Sequence, residues 1–161
     1  MKTKLLLAVV AAVSLYGAAL PSFEGETLAG TRVSLPSAIQ GRTAVLVIGF
    51  TKDSQQQTEA WAKRIRTEIP ALECWSVADM ETLPRLLRGI VVRAIRGSVP
   101  KAEHERFALI FKGGKAVRQT AGYSSGDDAY LMVVSPDGAL RCQAHGPVTE
   151  AAVTELRRCY Q

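Results

Sequence analysis

The chain has 161 residues, enough for one domain that buries about two-thirds of the surface its unfolded form exposes. Its formal charge of +5 includes Lys2 and Lys4, which belong to an expected leader, and the modest excess that remains does not argue for nucleic acid, so no nucleic-acid partner is expected. Three cysteines with no C-x-x-C pair, and only His104 and His145, leave no basis for a tetrahedral metal site, and no cofactor is expected.

Residues 1–19 read as a signal peptide: basic Lys2 and Lys4, an apolar core over 5–15, and the small residues Gly17-Ala18-Ala19 at the cleavage point. The uncharged stretch 5–20 is shorter than the ~20 residues a spanning helix needs, so cleavage is expected rather than retention as an anchor. A single domain then occupies residues 20–161 of an exported protein, periplasmic or secreted. In such an oxidising compartment a disulfide persists.

Residues 20–42 are polar and turn-rich, with a short alternating piece at 31–35 before Pro36. Residues 44–50 form an apolar run of strand length, and the polar turn after it closes with Ser54 and Gln57 in capping-box spacing ahead of Trp61, Ile65 and Ile69 at helical spacing. Pro70 ends that helix, and 72–78 reads as a second core strand holding Cys74. Thr82 is placed to cap a helix with Pro84 in its first turn, its apolar face formed by Leu83, Leu86, Leu87, Ile90, Val91, Ala94 and Ile95. The other side carries Arg85, Arg88, Arg93 and Arg96, a stripe that reads either as a solvated face or as a contact for an anionic partner or membrane surface.

Residues 107–111 and 116–120 flank Gly113-Gly114, read either as a hairpin or as an irregular excursion. A second hairpin pairs 129–134 with 139–144 about the turn Ser135-Pro136-Asp137-Gly138. Thr149 caps a last helix, with Val148 and Val153 as its hydrophobic staple, running to about Cys159. Strands alternating with helices, and a hairpin near the end, predict an α/β fold with a central mixed sheet flanked by helices.

Three stretches carry a family resemblance: Gly41-Arg42-Thr43 with the strand through Phe50, the helix bearing Trp61, and 129–138, which ends in Asp-x-x-Gly fashion. Over residues 21–158 the chain resembles the thioredoxin-like (redoxin) superfamily. Within it the chain is similar to the mitochondrial F-type ATPase assembly-factor family and its bacterial relatives, through Gly122-Tyr123, Asp128-Ala129-Tyr130-Leu131, Gly138-Ala139-Leu140-Arg141 and His145-Gly146. In a redox-active member the resemblance places paired cysteines near Gln55 and Thr58 and a cis-proline before Ala129. This sequence has none of them, and thiol exchange needs a thiolate.

The resemblance therefore implies a thioredoxin-like fold without dithiol or peroxidase chemistry, acting as a binding or assembly module for a protein partner. No catalytic residue is assigned. Thr51, Lys52, Asp53, Ser54 and Gln55 form a polar rim on the turn, either an ordinary loop or a surface that recognises an extended polypeptide. Two other readings stay open: a thiol oxidoreductase using Cys74, Cys142 or Cys159, and a surface-associated protein held through Arg85, Arg88 and Arg96.

Cys142 alternates with Leu140 and Ala144 on the side the last helix should cover. That helix descends about 15 Å to Cys159 while Cys142 lies about 10 Å below the turn, so the sulfurs approach one level, as a disulfide or as two unpaired thiols. Cys74 reads as a buried, inert thiol. His104 and His145 have no evident partner, and Asp127-Asp128 reads as turn chemistry.

Overall fold

The computed structural model describes residues 17–161; the leader expected over 1–19 lies outside the described residues apart from its last three positions. Seven strands are described: β1 (Phe23–Thr27), β2 (Arg32–Leu35), β3 (Ala44–Gly49), β4 (Glu73–Asp79), β5 (Phe107–Lys112), β6 (Tyr130–Val134) and β7 (Leu140–His145). The α-helices are α1 (Gln55–Glu68), α2 (Arg85–Ser98), α3 (Gly114–Thr120) and α4 (Glu150–Tyr160). The strands form one sheet in the order β2-β1-β5-β4-β3-β6-β7, with β3, β4 and β5 parallel and every other neighbour antiparallel. Parallel neighbours need crossovers, and α1 and α2 supply them.

Because both faces of the sheet are covered, strand residues alternate between two cores rather than between core and water. Leu46, Ile48, Trp75, Val77 and Met132 share one core with Phe23, Leu35, Ile39 and Val117. Val45, Val47, Cys74, Leu131 and Val133 share the other with Trp61 and Ile65 of α1 and Val153 and Leu156 of α4. Farther along that second face, Val91, Val92 and Ile95 of α2 pack on Leu28, Met80 and Leu109.

Several sequence expectations are corrected. The stretch 116–120 is helix α3, not the return strand of a hairpin: Gly113 takes a left-handed turn at φ 89°, and Val117 and Ala121, one helical turn apart, then reach the same core. Thr82 does not cap α2, because the residue before a proline is pushed out of the helical region and the helix starts only after Pro84. Its apolar stripe also divides. Val91 and Ile95 pack inward, while Leu86, Leu87 and Ile90 are 93%, 47% and 69% exposed. On β7, Leu140 and Cys142 lie on opposite faces, because a register shift between Val133 and Val134 breaks the simple alternation.

The last helix is as expected: Thr149 Oγ1 accepts from the Ala152 amide at 3.1 Å. Strand β1 has no counterpart in the sequence reading; its FEGET sequence carries no apolar run, and pairing with both β2 and β5 defines it.

Candidate functional site

Strand β3 runs through the middle of the sheet and delivers the chain, at its C-terminal end, to the turn before α1. Openings at the carboxyl ends of parallel strands are where α/β sheets bind ligands. A short 3-10 turn over Lys52–Ser54 joins β3 to α1 and puts Ser54 in a helical conformation, so its hydroxyl donates to the Thr51 carbonyl at 2.8 Å instead of capping α1. The capping box is not formed. Thr51 Oγ1 donates to the Gly126 carbonyl at 2.5 Å, fastening the turn to the loop before β6. Of the five rim residues, Lys52, Asp53 and Gln55 face solvent, Thr51 is half-buried and Ser54 is buried.

Behind the rim stands an aromatic cluster that sequence reading missed. Phe50 meets Tyr123 and Tyr130 edge-on at ring-centre distances of 5.4 and 5.3 Å. The Arg118 guanidinium lies 4.8 Å from the Tyr123 ring centre and 5.2 Å from that of Phe50, and pairs with the nearly buried Asp79 carboxylate at 2.9 Å. That pair anchors the cluster to the end of β4. Burial alone would raise the Tyr130 phenol, but the Ser124 and Ser125 amides donate to its oxygen at 2.9 and 3.0 Å and bring it below its ordinary pKa.

His145, expected to be unpartnered, stacks on Tyr130 and meets the Asp128 carboxylate through Nδ1 at 2.7 Å. Antiparallel pairing of Tyr130 with His145 brings these distant residues together. His104, also read as unpartnered, sits half-buried in a 3-10 turn with Nε2 2.9 Å from the Val99 carbonyl. No proline precedes Ala129, and the cis peptide among the described residues is Leu35–Pro36, away from the turn.

The three cysteines lie elsewhere. Cys142 of β7 and Cys159 of α4 form a disulfide with their Cα atoms 6.4 Å apart, resolving the alternatives left open above. Both half-cystines line a cavity of about 470 Å³ with Trp61, Leu131 and Leu156. Cys74 is free and buried in β4, and burial pushes its thiol up to about 11. Among the described residues, no group of three or more His, Cys, Asp or Glu side chains is placed to hold a metal ion.

The expected basic face is partly absorbed into the fold. Arg88 donates to the Leu83 and Glu81 carbonyls at 3.1 and 3.3 Å and lies over Phe111, while Arg96 donates to the Leu28 carbonyl at 3.0 Å. Arg85 stays exposed.

A mixed sheet with this crossover order, and a helix springing from its central strand, defines a thioredoxin-like protein. Solved structures agree: the pneumococcal exposed lipoprotein thioredoxin from Streptococcus pneumoniae strain TIGR4 matches with TM-score 0.60 at 13% identity, covering 85% of this chain and 98% of its own. BsSco, a member of the Sco family of cytochrome c oxidase assembly proteins, gives 0.57 at 13% identity, with coverages of 90% and 95%. The thioredoxin domain of a thiol-disulfide oxidoreductase from Bacteroides vulgatus gives 0.61 at 12%, with coverages of 91% and 98%. At these identities the likeness is one of fold. No curated protein sequence matches the chain.

The family itself is shown by a sequence profile described as ATP10 protein, which matches residues 13–161. The chain belongs to the ATP10 protein family, in keeping with its resemblance to F-type ATPase assembly factors, and a thioredoxin-like fold in that family fits an assembly module.

Proposed function

We propose that this protein is an exported, redox-inactive assembly module, with residues 1–19 removed as a signal peptide and residues 20–161 acting as one domain. It binds an extended segment of a protein partner at the turn between β3 and α1. The observation that carries this reading is the composition of that turn: Gln55 and Thr58 stand where a redox-active relative would hold its cysteines, while Lys52, Asp53 and Gln55 offer hydrogen bonds and charge to solvent. The cysteines present are committed to a disulfide and to a buried strand, where a thiol pKa of about 11 leaves almost no thiolate at neutral pH.

A second reading, thiol exchange through Cys142 and Cys159, has one feature in its favour, the cavity both half-cystines line. Insulin-reduction and peroxide-consumption assays separate the two. The binding module gives no turnover above buffer, whereas turnover abolished by Cys142→Ser or Cys159→Ser overturns it.

A further inference from the structure

Helix α2 is alone among the four described α-helices in having no fully buried residue. Val91, Val92 and Ile95 rest on the domain, and the opposite side projects Leu86, Leu87 and Ile90 into solvent from the first two turns. Nothing in the described chain covers that side, for a Cβ added at Gly89 or Gly97 would meet no atom within 4 Å. Exposed leucine and isoleucine clustered on one helix mark a contact surface rather than scattered surface apolarity.

Charge identifies the occupant. The helix carries four arginines and no acidic residue. Arg88 and Arg96 are held by backbone carbonyls, whereas Arg85 and Arg93 are exposed and make no ion pair or hydrogen bond among the described residues. Arg93 lies three residues beyond Ile90 and seven beyond Leu86, on the same side, and Arg85 adjoins Leu86. A second copy of this helix would oppose arginine to arginine. A convex row of long apolar side chains flanked by free guanidiniums suits a soft anionic layer, in which the side chains enter the acyl boundary and the guanidiniums meet phosphates.

We infer that the exposed side of α2 (Arg85, Leu86, Leu87, Ile90 and Arg93) docks on a bilayer surface containing anionic phospholipid. The inference stands apart from the partner-binding reading. Because α2 follows the C-terminal end of β4, parallel to β3, its first turns lie at the end of the sheet that bears the Thr51–Gln55 rim, and docking would hold that rim beside the membrane.

The full chain tests this with vesicles of phosphatidylcholine alone or mixed with phosphatidylglycerol. Cys74 is buried, so an environment-sensitive dye can be placed selectively on Leu86→Cys, with Thr154→Cys on α4 as control. The dye at position 86 should shift to the blue on phosphatidylglycerol vesicles at low salt and much less at high salt, with no shift at position 154. Leu86→Glu/Ile90→Glu, whose circular dichroism should match wild type, should lower the vesicle-bound fraction at least about tenfold, as should Arg85→Gln/Arg93→Gln on anionic vesicles. An unmoved dye at position 86, equal shifts on both vesicle types, or a bound fraction unchanged in the Glu variant, as adsorption through residues 5–15 would give, overturns the inference. Cross-linking of position 86 to a protein without any shift on vesicles also overturns it, in favour of a protein contact.

Discussion

Gln57 and Ala129 are joined across the head of α1: the Gln57 side-chain carbonyl accepts from the Ala129 amide at 3.1 Å. The Ala129 carbonyl accepts from the Gly146 amide at 2.9 Å, and the Gly146 carbonyl accepts from the Trp61 indole at 2.8 Å. A closed circuit thus ties α1 to the start of β6 and the end of β7. It fixes the head of α1, just beyond the rim, without using the side chains of Lys52 or Asp53.

Breaking that circuit at Gln57 leaves the amide of a buried residue unpaired. Gln57→Ala should cost about 1–3 kcal/mol. In urea denaturation the midpoint should fall while the slope stays constant.

The disulfide between Cys142 and Cys159 closes a separation of 17 residues and contributes roughly 3 kcal/mol. Intact-mass analysis of non-reduced protein should show two hydrogens fewer than the reduced form, with a peptide map joining these residues. Cys142→Ser/Cys159→Ser should lose about that much stability yet keep partner binding, since the bond lies away from the rim.

Cys74 makes stability fall at alkaline pH. Its folded pKa of about 11 lies above the ordinary value of 9.0, so its contribution is complete below about pH 9 and is lost as pH rises through 11, where the folded thiol also ionises. Two units correspond to about 3 kcal/mol. Cys74→Ala should flatten the decline measured between pH 9 and 11; an unchanged slope would assign the loss to other groups.

The sequence made the sheet centre and the last helix legible, because 44–50 is an unbroken apolar run, 72–78 is apolar but for Glu73 and Ser76, and Thr149, Val148 and Val153 occupy cap and staple positions. Helix α3 was not legible: seven residues with a β-branched centre look like a strand, and only the left-handed Gly113 and contacts with the core make them a helix. The site was legible as a place, not as a mechanism of attachment. Asp128 with His145 and Asp79 with Arg118 are 17 and 39 residues apart, the first brought together by pairing of β6 with β7 and the second by α3 packing on the end of β4. Gln57 had the right spacing to cap α1, but the 3-10 turn at Lys52–Ser54 freed it to hold Ala129.

Cross-linking in the native envelope, comparing wild type with Lys52→Glu/Gln55→Arg, tests the account's central claim most directly. Both residues are exposed, so the substitutions should change stability by no more than about 0.5 kcal/mol each. The account predicts that wild type captures a specific protein partner and that the folded double variant recovers markedly less of it. Equal recovery by the two proteins would contradict the assignment of partner binding to the turn between β3 and α1.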